Sequence, residues 1–227
     1  MGSIILNGVQ VEFDGQRVLT VDQLELTQKT IAVIGANGSG KSTFARLLNG
    51  LVKPSQGTVV VNNVDVAQDQ RAAVRQAGFI FANPDVQIVM PTVIEDVEFS
   101  LRDSKLSKAD RRERALEVIG SVGLSGLAEA PAQSLSSGQK QLLAIAAITV
   151  KQPSLIIADE PTALLDAGNT RAIASLLLAP AANQVVLVTH DLNLAQMCEV
   201  AVHFEGGQLV NLGDPQQVVG QYARQFA

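Results

Sequence analysis

The stretch Gly35-Ala36-Asn37-Gly38-Ser39-Gly40-Lys41-Ser42-Thr43 limits what this chain can fold into more than any other. A Gly, four residues, then Gly-Lys-Ser/Thr is the pattern of a loop that cradles phosphates. Residues 30–34, Thr-Ile-Ala-Val-Ile, form a short apolar run that reads as a buried strand just before it. Residues 43–49 follow with helical spacing, and Gly50 fits a C-cap. Strand, glycine loop and helix is the context such a loop requires. The glycines let successive N–H groups converge on phosphate oxygens, and the helix N-terminus adds partial positive charge. Lys41 would reach the outer phosphates and Ser42 would offer its hydroxyl to Mg²⁺. The pattern predicts a nucleoside triphosphate site.

Composition narrows the setting. The chain has 227 residues, enough for one large α/β domain or one domain with an inserted lobe. Hydrophobic residues make up 47% and aromatics only 4%, so the core is aliphatic, which suits buried parallel strands. Net charge is −5, from 17 basic and 22 acidic residues, with no basic block, so nothing signals a sequence-independent grip on nucleic acid. The densest basic cluster, Arg111-Arg112-Glu113-Arg114, reads as a solvated helix face. A lone cysteine, Cys198, excludes an internal disulfide and reads as a buried structural thiol. No apolar run is long enough to span a bilayer and the start lacks a signal-peptide pattern, so a soluble, cytoplasmic chain is expected.

In chain order, residues 4–30 alternate like β-structure, with Asp14-Gly15 as a hairpin turn. Residues 58–61 and 78–81 read as strands and residues 71–76 as a helix. Residues from about 83 to 134 read as a helical insertion, in which Ser107 to Asp110 resembles a capping box. A strongly apolar helix runs to Val150, and Pro153 stops it. Residues 155–160 and 185–190 read as buried strands, the first ending in two carboxylates and the second in His, residues 201–210 as a hairpin around Gly206-Gly207, and a short helix follows Pro215.

Three strand ends carry chemistry. The apolar run before Asp159 and Glu160 ends in two adjacent carboxylates, costly to bury unpaired, so a cation belongs beside them. Asp159 is the expected Mg²⁺ ligand. Glu160, on the opposite side of the strand, would orient or deprotonate an attacking water. His190 ends the next strand. Ligands in α/β sheets collect at the carboxyl ends of strands, so the phosphate loop, Asp159 and His190 are expected to share one crevice. Phe13 is either a base-stacking aromatic or a packed core residue.

Leu135-Ser136-Ser137-Gly138-Gln139 gives these pieces a family. The sequence resembles the ATP-binding-cassette (ABC) ATPases across essentially its whole length. Gly35 to Thr43 is similar to the family's Walker A motif, and Leu135 to Gln139 to its signature motif. Ile156 to Glu160 is similar to Walker B, Ala163 to Asp166 to the D-loop, His190 to the switch histidine and Phe13 to the base-stacking aromatic. The resemblance implies an α/β fold, a P-loop NTPase (RecA-like) core with an antiparallel β-subdomain and an inserted α-helical subdomain. It implies one domain over residues 1–227, with the helical subdomain at about 83–134. Its activity would be ATP hydrolysis with Mg²⁺. Ser136, Ser137, Gly138 and Gln139 would serve the phosphate loop of a second copy, in a head-to-tail homodimer.

Two positions depart from the family pattern, and a third feature narrows it. Ser137 stands where Gly is usual, with little loss expected. Ala82 stands where the family has a Gln that joins Mg²⁺, water and the membrane subunit. Hydrolysis is then slowed, or relies on Glu160 and His190 alone, or uses Gln87 instead. The segment Pro84-Asp85-Val86-Gln87 is similar to one in energy-coupling-factor (ECF) type importers of vitamins and metal ions. There Asp85 and Gln87 would meet an Arg of the transmembrane coupling protein. The resemblance thus implies an ATPase at the cytoplasmic face of the membrane, partnered by a coupling protein and a substrate-binding membrane protein, with biotin the favoured cargo. The rival readings are a soluble ABC ATPase acting on nucleic acid or ribosomes, and a slow-turnover nucleotide-dependent scaffold.

Overall fold

The computed structural model describes residues 2–163, 165–179 and 183–225. Met1, Ala227 and Leu164 of the D-loop stretch lie outside the described residues. The chain divides into two compact units. One comprises residues 1–79, 154–160 and 178–227; the other comprises residues 80–153 and 161–177.

The first unit is built on the sheet. Strands β1 (Ile4–Phe13) and β2 (Gln16–Leu26) form an antiparallel hairpin, pairing Ile4 with Leu26 and Phe13 with Gln16. Its turn has φ of 51° at Asp14 and 76° at Gly15, the two left-handed residues that a tight hairpin prefers. Strands β4 (Gln56–Val61) and the two-residue β5 (Val64–Asp65) extend this antiparallel part. The parallel part contains β3 (Thr30–Ile34), β7 (Leu155–Asp159) and β8 (Gln184–Val188). All of β7 and β8 and residues 31–34 of β3 are buried, as continuous apolar runs covered on both faces must be. Strands β6 (Ala77–Ile80), β9 (Val200–Glu205) and β10 (Gln208–Gly213) complete the order β5-β4-β1-β2-β10-β9-β3-β8-β7-β6. Helices α1 (Lys41–Leu48), α2 (Gln70–Gln76), α7 (Leu192–Ala195) and α8 (Pro215–Arg224) belong to this unit. Phe44 of α1 packs on Phe204 of β9 with ring centroids 5.1 Å apart, which pins the helix to the sheet.

The second unit is helical. Helices α3 (Val93–Ser100), α4 (Lys108–Ser121) and α5 (Ser137–Thr149) close over Val93, Val97, Ile119, Leu143 and Ala146, all fully buried. Helix α6 (Ala167–Leu177) belongs here too. The predicted capping box at Ser107 forms only its first half: Ser107 Oγ accepts from the Asp110 N–H, and Asp is one methylene shorter than the Glu or Gln the motif needs. Complete boxes stand at Thr92/Glu95 and Ser136/Gln139 instead. Arg112 bridges Glu98 and Glu129 on the exposed side. Among the described residues no helix is long and apolar enough to cross a membrane.

Candidate nucleotide site

Helix α1 begins without a side-chain cap. Its N-cap is Gly40, in the left-handed region at φ 99°, so the first N–H groups of the helix are left for another acceptor. At the other end of the loop, Gly35 has φ 145°, and a Cβ there would stand 2.1 Å from the Phe204 carbonyl. No other residue fits, and the loop turns back sharply above β3. Lys41, only 6% exposed, donates to the carbonyls of Gly35 at 2.7 Å and Ala36 at 2.9 Å. Burial lowers its pKa, while the charges of Glu160 and Asp159 work the other way. Val18, the residues from Asn37 to Thr43, Glu160 and His190 line a cavity of about 450 Å³. Val18 has no signal in the sequence. Its carbonyl approaches Gly40 and Gly207, and only the β2 pairing brings it there. Phe13 ends β1 and is 48% exposed, so it is not a core residue.

The two carboxylates behave differently. Asp159, the last residue of β7, is buried, and its Oδ1 accepts a hydrogen bond from Ser42 Oγ at 3.1 Å. A hydroxyl beside a carboxylate is a hard-oxygen pair that suits Mg²⁺ arriving with phosphate ligands. Among the described residues no group of three or more His, Cys, Asp or Glu could hold a metal unaided. Glu160 was expected to emerge on the opposite side of the strand by alternation, but β7 ends at Asp159. Its backbone sits at φ 53°, and its N–H donates to the Val188 carbonyl at 2.9 Å. A left-handed turn, unfavourable for an L-residue, therefore aims this side chain. Oε2 accepts from the His190 N–H at 3.3 Å, and His190 Nε2 stands 3.0 Å from Oε1 as a close contact rather than an aligned hydrogen bond.

Burial is the main force on Glu160 and pushes its pKa up to about 7. The His190 N–H and the Lys41 charge oppose that rise, and Asp159 adds to it. His190 shifts down, first by burial and then by Lys41, against the pull of Asp159. Burial favours the neutral form of both groups, so they are not a fixed ion pair, and the Glu160 carboxyl can take or give a proton near neutral pH, as a general acid–base group does.

The second unit holds the remaining predicted residues. Ser136 Oγ accepts from the Gln139 N–H at 3.3 Å, and Gln139 Oε1 accepts from the Ser136 N–H at 2.9 Å. Ser137 and Gly138 are the first two residues of α5 after that cap. Asp166 precedes α6 and accepts from the Asn169 N–H at 2.8 Å; this bond, first among its contacts, lowers its pKa. Asp85 pairs with Lys140 at 2.7 Å. Gln87 is held inside the unit: it accepts from the Phe81 N–H at 3.3 Å and donates to the Ala144 carbonyl at 3.4 Å. Gln141, 1% exposed, donates to the Phe81 carbonyl at 3.2 Å. The chain next to Ala82 is therefore held by Gln87 and Gln141, a role no local pattern announces. Asp85, Ile88, Val89, Met90, Pro91, Ala132, Gln133 and Lys140 line a groove of about 670 Å³.

A left-handed, uncapped phosphate loop beside a hydroxyl–carboxylate pair and a poised acid defines an α/β domain of the nucleoside-triphosphate-hydrolysing kind. Comparison with known proteins says which. The pattern of the ABC transporter family matches residues 22–163. A Deinococcus radiodurans protein named only as an ABC transporter ATP-binding protein is 41% identical over 219 residues, 96% of each chain. A biotin transport ATP-binding protein of Rhizobium etli is 39% identical over 212 residues, 93% of this chain and 94% of the relative. An energy-coupling factor transporter ATP-binding protein of Methanospirillum hungatei is 36% identical over 193 residues, 82% of this chain and 48% of the relative. Among solved structures, cbiO1 of Clostridium perfringens, part of the cbiONQ transporter complex, has a TM-score of 0.88 at 27% identity and covers 98% of this chain and 93% of its own. The dimeric ATP-binding cassette MJ0796, bound to ADP and Pi, has a TM-score of 0.82 at 28% identity, covering 93% of this chain and 98% of its own. The chain belongs to the ABC transporter family and is an ATP-binding, ATP-hydrolysing cassette.

Proposed function

We propose that this cassette is the ATPase subunit of an ECF-type importer, with biotin the favoured cargo, at the cytoplasmic face of a membrane. The supporting observation for the importer class is similarity over most of the chain to proteins named for biotin and energy-coupling-factor transport. The groove beside Asp85 suits a helix of a transmembrane coupling protein, with a substrate-binding membrane protein completing the assembly. Residues 1–227 act as a single cassette, with the helical part inserted in the α/β core.

ATP lies along residues 35–43, its base against Phe13 and its outer phosphates against Lys41 and the N–H groups at the start of α1. Ser42 and Asp159, 3.1 Å apart, would hold Mg²⁺. Bound there, the ion supplies positive charge for the phosphoryl group in transfer. Glu160 orients the attacking water and takes its proton, and the His190 N–H keeps the carboxylate aimed. Ser136, Ser137, Gly138 and Gln139 of a second copy close the site from the opposite side, with Asp166 at the same interface. Two such sites form one isologous head-to-tail homodimer.

Glu160→Gln tests the mechanism. It should trap an ATP-bound dimer in light scattering, with turnover about 100-fold lower or less; a variant that stays monomeric with ATP and Mg²⁺ sinks the head-to-tail reading. Purification from membranes tests the setting. A coupling protein and a biotin-binding membrane protein should accompany the chain, whereas ribosomes or nucleic acid would favour a soluble ABC ATPase. Ala82 supports one second reading, a nucleotide-dependent scaffold that binds ATP but scarcely turns it over. An ATPase rate unchanged by adding the membrane partner would favour it.

A further inference from the structure

The reciprocal cap of α5 serves the N–H groups of Ser136 and Gln139 and leaves those of Ser137 and Gly138 outside it. Such donors are useful to a phosphate only if the helix start cannot rock. Gly138 is buried, and the nearest atoms to its missing side chain all belong to Asn169. A Cβ on Gly138 would stand 2.5 Å from Asn169 Cγ, 2.6 Å from Oδ1 and 2.8 Å from Nδ2. No real Cβ makes such contacts, so residue 138 must lack one for as long as Asn169 keeps its place. Asn169 is itself held twice by Asp166: its N–H donates to Oδ1 at 2.8 Å and its Nδ2 to Oδ2 at 2.8 Å. The amide plane cannot swing away without breaking a charge-assisted bond. The Thr170 N–H donates to the Asp166 main-chain carbonyl at 2.9 Å, which ties the backbone of the same residue to the first turn of α6.

We propose that Asn169 is a positioning residue that clamps the start of the signature helix to the first turn of α6, so that glycine at 138 is imposed from within the chain. This rests on the trans role of Ser136 to Gln139 proposed above. Asp166 thereby has a task inside its own subunit: anything that moves its carboxylate also moves the two donors at 137 and 138. The clamp links the first turn of α6 directly to the surface offered to the second copy.

A double-mutant cycle in the Glu160→Gln background tests this, with ATP-driven dimerisation as the readout. Asn169→Ala should weaken dimerisation about 5-fold, the worth of one ordinary hydrogen bond. Affinity for a fluorescent ATP analogue, read where chains are too dilute to pair, should not change. Gly138→Ala should weaken dimerisation about 10-fold or more, the cost of overpacking. Gly138→Ala with Asn169→Ala should recover to the level of Asn169→Ala alone. Should the double variant stay as weak as Gly138→Ala, the glycine answers to something other than Asn169 and the inference is overturned. If Gly138→Ala unfolds the chain, melting gives the same cycle, and the double variant should melt higher. Failure of the parent to dimerise at all would instead sink the trans reading, and the clamp's role with it. A pairing parent with no coupling between 138 and 169 overturns the clamp alone.

Discussion

Two helices in this molecule start on a small residue followed by a Ser- or Lys-containing turn, yet their ends are built in opposite ways. Helix α1 starts at Gly40, left-handed and without a side-chain cap, beside a lysine whose ammonium is turned onto two loop carbonyls. Helix α5 starts at Ser136 inside a complete capping box, and its second residue is packed under Asn169. The first end leaves its donors for a ligand, and glycine makes that possible by removing the competing side chain. The second end is fixed by its own chain and presents only two donors. One end grips and the other is presented: the uncapped end supplies affinity, and the capped end supplies geometry. A cassette that assembles by pairing needs both, one in each partner.

The largest test of that contrast is Lys41→Ala. It removes a buried cation at the gripping end, and ATP affinity should fall on the order of 100-fold, as for losing two charge-assisted bonds, read by equilibrium dialysis. An affinity within threefold of the parent would break the contrast. Ser136→Ala should act in the other way. The chain should lose about 1 kcal/mol of unfolding free energy in denaturant from the cap, and dimerisation with it, while single-chain ATP affinity holds. Equal loss of single-chain affinity in both variants would show that the two ends do the same job.

Acidity gives a third, smaller difference. Glu160 titrates at about 7 in the folded chain against 4.5 ordinarily, so its protonated form favours the fold. Its contribution is fully present below pH 4.5 and is lost as pH rises through 7. His190, lowered from 6.5, acts in the opposite sense and removes stability as pH falls below its ordinary value. The melting difference between parent and Glu160→Gln isolates the first effect and should turn against the parent between about pH 5 and 7. A flat difference would mean that burial does not govern this carboxylate. The smallest change expected is at Ala82, where restoring Gln should alter turnover a few-fold. Identical rates would show the position to be idle.

Much of the gripping end was legible in sequence, because a phosphate loop is specified by contiguous residues of narrow backbone type. Asp159 and His190 were legible as polar groups that end apolar strands. Glu160 was placed by strand alternation, which stops applying where the strand stops; a left-handed turn takes over at φ 53°. Thr92 and Ser136 carry full capping boxes, whereas the Ser107 pattern with Asp at its fourth position forms only half. Val18, Asn169 and Gln141 carry no signal, and Gln87 stands out only as a contact for a membrane partner or a substitute for the missing Gln, not as a brace on Phe81. Each acts through residues distant in sequence, and an amide side chain looks alike on paper whether it holds a backbone or faces solvent.

Lys41 carries a last consequence. The carbonyls of Gly35 and Ala36, at 2.7 and 2.9 Å, are rivals of any phosphate for the same ammonium. A binding loop with such an internal competitor holds its ligand less tightly than its charge alone would allow. It also offers the lysine somewhere to go when the ligand leaves, so the charge of a side chain only 6% exposed need not be stranded unpaired. For a machine that must release spent nucleotide on every cycle, the two carbonyls act as a return spring.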